Sequence, residues 1–109
     1  MECMTWMQLQ PVQWFDELDS TNRHLLRLCD SAETQGGMVV ACHRQTAGRG
    51  RLARAWQSGA GENLTFSLYL DLPCDPVAAM TLPLAVGLAV SESLDEFGIA
   101  SEVKWPNDV

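Results

Sequence analysis

Residues 64 to 72 alternate without a break: Leu64, Phe66, Leu68, Leu70 and Leu72 are apolar, and Thr65, Ser67, Tyr69 and Asp71 between them carry polar atoms. Successive side chains of a strand point to opposite faces, so this period of two predicts a strand with one apolar face laid against a core. Its backbone donors and acceptors need partners, which demands a sheet. Residues 12 to 18 (Val-Gln-Trp-Phe-Asp-Glu-Leu) are a short mixed run consistent with a second strand, although the alternation is imperfect at Trp14-Phe15. Met38-Val39-Val40-Ala41-Cys42 is continuously apolar and β-branched, the pattern of a strand buried on both faces. Ile99 to Trp105 reads as a further strand, and Trp105-Pro106-Asn107-Asp108 has turn chemistry.

Two helices fit between these strands. Ser20 or Thr21 can cap a helix whose Leu25, Leu26, Leu28 and Cys29 fall on roughly one face, ending before a turn at Gly36-Gly37. Asp75 and Pro76 suit the cap and first position of a longer apolar helix that runs to Phe97, with Gly98 closing it and Pro83 kinking or restarting it. The Leu, Ala and Val positions of 77 to 97 are assigned to the core. The expected class is α+β, a mixed β-sheet packed against helices.

With 109 residues, 47% of them hydrophobic, the chain matches one globular domain or part of one, and extended disorder and collagen are excluded. Neither a repeat nor a low-complexity tract divides it. Seven Lys and Arg against fourteen Asp and Glu give a net charge of −7, which argues against DNA or an anionic membrane as the main partner. The first ten residues include Glu2, Thr5, Gln8 and Gln10, so no export signal is expected. The near-apolar stretch Val77 to Val90 contains Thr81, Pro83 and Gly87 and falls short of the ~20 residues a membrane span needs. Cys3, Cys29, Cys42 and Cys74 form no Cys-x-x-Cys pair and have no histidine at zinc-ligand spacing, so they are read as reduced thiols of a cytoplasmic protein.

The scarce cations are concentrated. Arg44, Arg49, Arg51 and Arg54 lie within residues 44 to 54, which contain no acid. Gly48-Arg49-Gly50-Arg51-Leu52-Ala53-Arg54-Ala55-Trp56 leaves directly from the buried strand, a common position for ligand-binding loops. Glycine lets backbone N–H groups approach an anion, and guanidinium groups clamp carboxylate or phosphate oxygens in pairs. The segment is neither a Walker loop nor a dinucleotide fingerprint, because the Gly-Lys-Ser/Thr and the third glycine are missing. The bland reading is a solvated basic loop, but a basic loop in an acidic chain favours an anion site. Trp56 can stack on a planar ligand or anchor the loop's end. Ser20-Thr21-Asn22 offers short hydrogen-bonding side chains at a strand-to-helix junction, where a cap alone would also explain them. Lys104, the only lysine, precedes Asn107 and Asp108, which carry oxygen ligands of the kind Mg²⁺ accepts and equally suit a simple turn. His24 and His43 lack a nucleophile or carboxylate motif and are read as structural or solvated.

Three segments in fixed order carry a specific resemblance: Asp19-Ser20-Thr21-Asn22; Gln45-Thr46-Ala47-Gly48-Arg49-Gly50-Arg51 with Arg54 and Trp56; and Lys104-Trp105-Pro106-Asn107-Asp108. Together they closely resemble the catalytic domain of biotin-protein ligases, whose fold is similar to that of class II aminoacyl-tRNA synthetases. The resemblance divides the chain into an N-terminal extension, residues 1 to 11, and the N-terminal part of the catalytic domain, residues 12 to 109. It implies a two-step reaction in which biotin and MgATP give biotinyl-AMP and pyrophosphate, and the activated carboxyl passes to a lysine of biotin carboxyl carrier protein. By the same resemblance Ser20, Thr21, Asn22, Gln45, Gly48, Arg49, Gly50 and Arg51 would bind biotin. Arg51, Arg54, Trp56, Lys104, Asn107 and Asp108 would line the ATP side, with Asn107 and Asp108 facing Mg²⁺ and with Arg49, Arg51 and Lys104 in catalytic roles.

Two departures stand out. The family usually has glycine where Ala53 stands. The sequence also stops before the following strand and its glycine-lysine segment, which carries the family's principal catalytic lysine, so little or no ligase activity is expected of the isolated chain. With no helix-turn-helix ahead of residue 12, DNA binding is not expected. An unpaired sheet edge and uncovered apolar surface would favour self-association. The competing assignments are a lipoate-protein ligase, for which no Arg-Arg or Gly-Gly-Gly-type motif is present, and a non-catalytic anion-binding or purely structural α/β segment.

Overall fold

The computed structural model describes residues 8–32, 35–50, 52, 54–56, 62–71, 75–106 and 108–109. The chain divides into two compact units, Met1–Asp71 and Leu72–Val109.

The first unit holds a three-stranded sheet in the order β1-β2-β3, made of β1 (Gln13–Leu18), β2 (Val39–Gln45) and β3 (Thr65–Leu68). β1 runs parallel to β2, with Trp14 opposite Ala41 and Leu18 opposite Gln45. β3 runs antiparallel to β2, with Val40 opposite Ser67 and Cys42 opposite Thr65. A parallel pair needs a crossover, and α1 (Thr21–Asp30) supplies it. The expected strands and helix thus appear in their expected order, with β3 shorter than the alternating run. Gly37, at φ +90°, makes the turn into β2, and a Cβ there would run into the Gln8 carbonyl oxygen, a backbone approach only glycine permits.

The buried apolar residues of this unit are Leu25 of α1 and, on the two faces of β2, Val40 and Cys42 on one side and Val39 and Ala41 on the other. β2 is buried on both faces as its composition predicts, and burial pushes the Cys42 thiol pKa up. Cys42 and the half-buried Cys29 are free thiols, while Cys3 and Cys74 lie outside the described residues. Two expectations are corrected. Leu25, Leu28 and Cys29, spaced i, i+3, i+4, share the inward stripe of α1, but Leu26 is rotated off it and is 55% exposed. The apolar face of β3 is not the face that packs on α1: Thr65 and Ser67 turn that way, whereas Leu64, Phe66 and Leu68 join Trp14, Val39 and Ala41 around a wholly apolar hollow of about 250 Å³.

Both histidines of this unit lie against aromatic rings. His43 stacks on Trp14 with ring centroids 5.4 Å apart, and His24 lies tilted against Phe15 at 4.9 Å.

In the second unit α2 (Pro76–Ala79) starts at Asp75, whose Oδ1 accepts from Ala78 N at 2.7 Å. The helix stops at Met80-Thr81 and restarts as α3 (Leu82–Glu96), because Pro83 fits only the first turn of a new helix. Gly98, at φ +76°, follows the end of α3. Assigning residues 77 to 97 to the core proves incorrect: among the described residues of α2 and α3 only Gly87 is buried, and Val77, Val86, Leu88 and Phe97 are exposed. This unit offers too little surface of its own to cover a helix that is apolar on most sides. By length and composition alone Pro76–Glu96 suffices to cross a membrane, a longer stretch than the sequence reading allowed, although Glu92, Asp95 and Glu96 charge its last turns. The strand expected at Ile99 to Trp105 does not form, since among the described residues of this unit no strand offers it a ladder. Instead Lys104 and Asp108 close a turn on each other, N to O at 2.7 and 3.0 Å.

Candidate active site

The site grows from the carboxyl ends of β1 and β2, where the chain turns into α1 on one side and into the arginine loop on the other. Thr46 N donates to Leu18 O at 2.9 Å and Ala47 N to Asp19 O at 2.8 Å, so the two exits are stitched together through backbone. Asp19 secures the first exit. One of its oxygens accepts from Ser20 N, and the pair of them takes a two-pronged grip from Arg27 at 2.8 and 2.9 Å. The Arg27 guanidinium and the Ser20 amide hold the Asp19 carboxyl well below the usual carboxylate range, and the same contact raises Arg27.

Ser20 is the N-cap of α1, with extended backbone and a side chain accepting from Arg23 N at 3.3 Å. Ser20 and Thr21 are nevertheless buried, at 4% and 3% exposure, which a surface cap does not require. Thr21 N donates to Gln45 Oε1 at 2.8 Å, and Thr21 Oγ1 lies 3.3 Å from the same oxygen and 2.8 Å from Ser67 Oγ. The Thr21 amide is therefore satisfied internally and does not point outward, as a bare helix start would suggest. A backbone N–H can only donate, so Oε1 is the atom facing Thr21 and Nε2 turns the other way, toward Gly48.

The arginine loop is folded back on itself. Trp56 N donates to Gly48 O at 2.8 Å and Gly50 N to Arg54 O at 2.7 Å, and Arg49 bridges Ala55. Gly48 is required by this closure, because a Cβ there would lie 2.6 Å from Trp56 O and 2.8 Å from Gln45 Nε2. Leu52 at the tip takes φ +57°, an unfavourable left-handed conformation for a leucine. Arg51 and Ala53 lie outside the described residues, so the expectations placed on them have no structural counterpart here.

These elements enclose a cavity of about 290 Å³ whose wall includes Ser20, Thr21, Asn22, Gln45, Arg49 and Trp56. Six residues from two of the three sequence segments are thus brought to one place, while the described residues of the third segment, Lys104 to Asp108, do not line this cavity. Leu64 and the β3 residues Thr65, Phe66 and Ser67 complete the wall, and sequence reasoning missed them. Their signal was present in the hydroxyls of the alternating run, which occupy the face opposite its leucines. A second hollow of about 390 Å³ lies behind Gln45 and Trp56 and is lined by Arg44, Thr46, Ala47, Gly48 and Ala55 as well. Gly50 and Arg54 belong to the folded loop without lining the first cavity.

Chemically, the first cavity pairs buried hydroxyls and an oriented amide with a guanidinium at its edge. It suits a ligand with a polar head and an anionic group, and the exposed ring of Trp56 offers a stacking surface. Lys104 and Asp108 belong to the second unit, and Asn107 lies outside the described residues. For Mg²⁺ the described residues of that segment supply the Asp108 carboxylate, the kind of single oxygen donor that holds Mg²⁺ together with substrate phosphates.

The chain is similar to known proteins in sequence and in backbone. Residues 14–109 match the family model described as the biotin/lipoate A/B protein ligase family. The bifunctional ligase/repressor BirA of Bacillus subtilis is 39% identical over 103 residues, covering 92% of this chain and 31% of that protein. Among solved structures, the biotin protein ligase of Aquifex aeolicus in complex with biotin and ATP superposes with a TM-score of 0.74 at 38% identity, over 91% of this chain and 40% of that one. The biotin acetyl coenzyme A carboxylase synthetase of Helicobacter pylori with bound biotinylated ATP gives a TM-score of 0.73 at 34% identity, over 87% and 46%. The chain thus spans less than half the length of each of these proteins. A match over residues 14–109 and agreement in sequence and backbone with ligases that act on biotin lead to one conclusion: the chain belongs to the biotin/lipoate A/B protein ligase family, among its biotin-protein ligases.

Proposed function

We propose that this chain forms the biotin-recognising part of a cytoplasmic biotin-protein ligase, which uses ATP to activate biotin and passes it to a lysine of biotin carboxyl carrier protein. The observation that carries the reading is the convergence of Ser20, Thr21, Asn22, Gln45 and Arg49 on one cavity, with the Trp56 ring at hand. Biotin combines a rigid polar bicycle, which needs matched donors and acceptors, with a carboxylate on a flexible chain. Buried hydroxyls and a fixed amide suit the first, and an arginine suits the second.

In the first step a biotin carboxylate oxygen attacks the α-phosphorus of ATP. A phosphorus–oxygen bond forms, the α–β bridge breaks, and pyrophosphate leaves. Two anions must approach each other, so the contribution of Arg49, and of Arg51 beside it in sequence, is electrostatic and positional. Trp56 offers a face to the adenine, with Arg54, Lys104, Asn107 and Asp108 assigned to the nucleotide. In the second step the carrier lysine's amine attacks the acyl carbon, AMP departs, and the nitrogen sheds a proton.

Fluorescence titration of the chain with biotin, then with a non-hydrolysable biotinyl-AMP analogue, tests the reading, because Trp56 lines the cavity. Saturable binding of the analogue, and failure of lipoate to compete, is the expected result. Absence of binding by either biotin compound, or preference for lipoate, overturns it. Little or no carrier biotinylation is expected of the chain unaided, and multiple turnovers would contradict that.

A further inference from the structure

Ser67 has a role that the activation chemistry leaves open. It is half-buried on β3, faces the cavity, and touches Thr21 Oγ1 at 2.8 Å. Thr21 Oγ1 also lies 3.3 Å from Gln45 Oε1, which accepts from Thr21 N at 2.8 Å. An amide oxygen only accepts, and a threonine hydroxyl carries one proton. If both hydroxyl contacts are made, Thr21 must donate to Gln45, and Ser67 must then donate to Thr21. The three side chains form a one-way relay, Ser67 to Thr21 to Gln45, its direction set by the Thr21 backbone N–H that fixes the amide. Thr21 is 3% exposed, and the relay satisfies its hydroxyl as donor and acceptor at once.

We propose that Ser67 determines ligand specificity by polarity: its proton is committed to Thr21, so its oxygen offers the cavity lone pairs alone and accepts from an N–H of the ligand. This rests on the biotin reading above, in which the ligand N–H belongs to the ureido ring. A ligand that carries an acceptor at that place meets a hydroxyl with no proton to give, and one that carries a methyl there brings no proton for the oxygen to accept.

The test is calorimetric titration of the full chain, as wild type, Ser67→Ala and Ser67→Thr, with biotin and with its two ureido N-methyl derivatives. Wild type is expected to bind biotin at least about tenfold more tightly than one of the derivatives, the size of one lost hydrogen bond that leaves a buried partner unpaired. Ser67→Ala is expected to weaken biotin about tenfold and to erase that discrimination, whereas Ser67→Thr, which keeps the hydroxyl, retains both. Loss of packing alone would weaken both ligands equally and leave the ratio intact, so the ratio separates a polarity role from a structural one. An unchanged ratio in Ser67→Ala overturns the proposal, as does a wild type that takes both derivatives as well as biotin. The latter comparison holds even if the alanine variant fails to fold. A wild type that does not bind biotin removes the functional reading and this proposal with it, while wild-type binding that is indifferent to Ser67 removes the proposal alone.

Discussion

Replacing Gly48 by alanine tests the loop closure on which the site depends. The added methyl would lie 2.6 Å from Trp56 O and 2.8 Å from Gln45 Nε2, both closer than carbon tolerates, and the nearer atom is backbone. The loop must open at the Trp56 N to Gly48 O hydrogen bond, or Gln45 must leave Thr21. Forcing a methyl into a packed place costs ~1–3 kcal/mol, and one hydrogen bond lost adds about 1 kcal/mol. The reduced freedom of the unfolded chain returns roughly 0.4–1 kcal/mol. The net loss is about 1–3 kcal/mol, or a shift of roughly 0.5–1.5 M in the urea midpoint at an m value of ~2 kcal/mol/M. Gly50, two residues on, is the internal control. A Cβ there meets nothing nearer than 3.7 Å and its φ is not positive, so Gly50→Ala is expected to leave the midpoint unchanged or slightly raised. Urea unfolding followed by tryptophan fluorescence, with biotin titration of each variant, reads both stability and site. Equal midpoints for the two variants, or a worse outcome for Gly50→Ala, would refute the argument that Gly48 closes the loop.

Three further outcomes are expected. Leu25→Ala should destabilise by ~2–5 kcal/mol, as full truncation in a core does, while Leu26→Ala, on a side chain 55% exposed, should stay within about 0.5 kcal/mol; comparable losses would mean that α1 is rotated from the orientation described. Because the Asp19 carboxyl is held below its unfolded value of ~3.9, its stabilising effect is present above about pH 4 and is lost as pH falls through the lower folded value. Wild type should therefore exceed Asp19→Asn in stability at pH 6, with the gap closing toward pH 2, and a gap independent of pH would count against the Arg27 contact. Finally, β1 and β3 are the outer strands of the first unit's sheet, and Phe66 on its apolar face is 50% exposed, so sedimentation should show concentration-dependent self-association that Phe66→Lys reduces. A clean monomer at high concentration would refute it.

Local chemistry made much of this legible in advance. Ser20 and Asp75 were readable as caps because a short acceptor side chain before an apolar helix has few other uses, and Pro83 was readable as a restart because it cannot sit inside one. The continuous run Val39 to Cys42 announced a strand covered on both sides. What stayed hidden depends on partners distant in sequence. Period two says that Leu64 and Phe66 share a face but not whether anything covers it, and in this unit the covered face carries Thr65 and Ser67. Val77 to Phe97 looks like core by composition, but burial belongs to the neighbour as much as to the helix. Ile99 to Trp105 carries strand residues, but among the described residues of its unit no strand pairs with it. At the site, Gln45 and Gly48 came from motif resemblance, while their mutual fit, an amide turned into the space where a Cβ would stand, exists only in three dimensions.

The orientation of β3 sets a conflict between durability and recognition. The layer between α1 and the sheet, where methyl groups would consolidate the unit, is occupied at Thr21, Thr65 and Ser67 by hydroxyl-bearing side chains. Exchanging Thr21 and Thr65 for valine and Ser67 for alanine would nearly keep the shape, make the layer apolar and silence the cavity. Selection for thermal resistance alone should therefore drift toward an inert scaffold, whereas the hydroxyls in that layer suit the binding role proposed above.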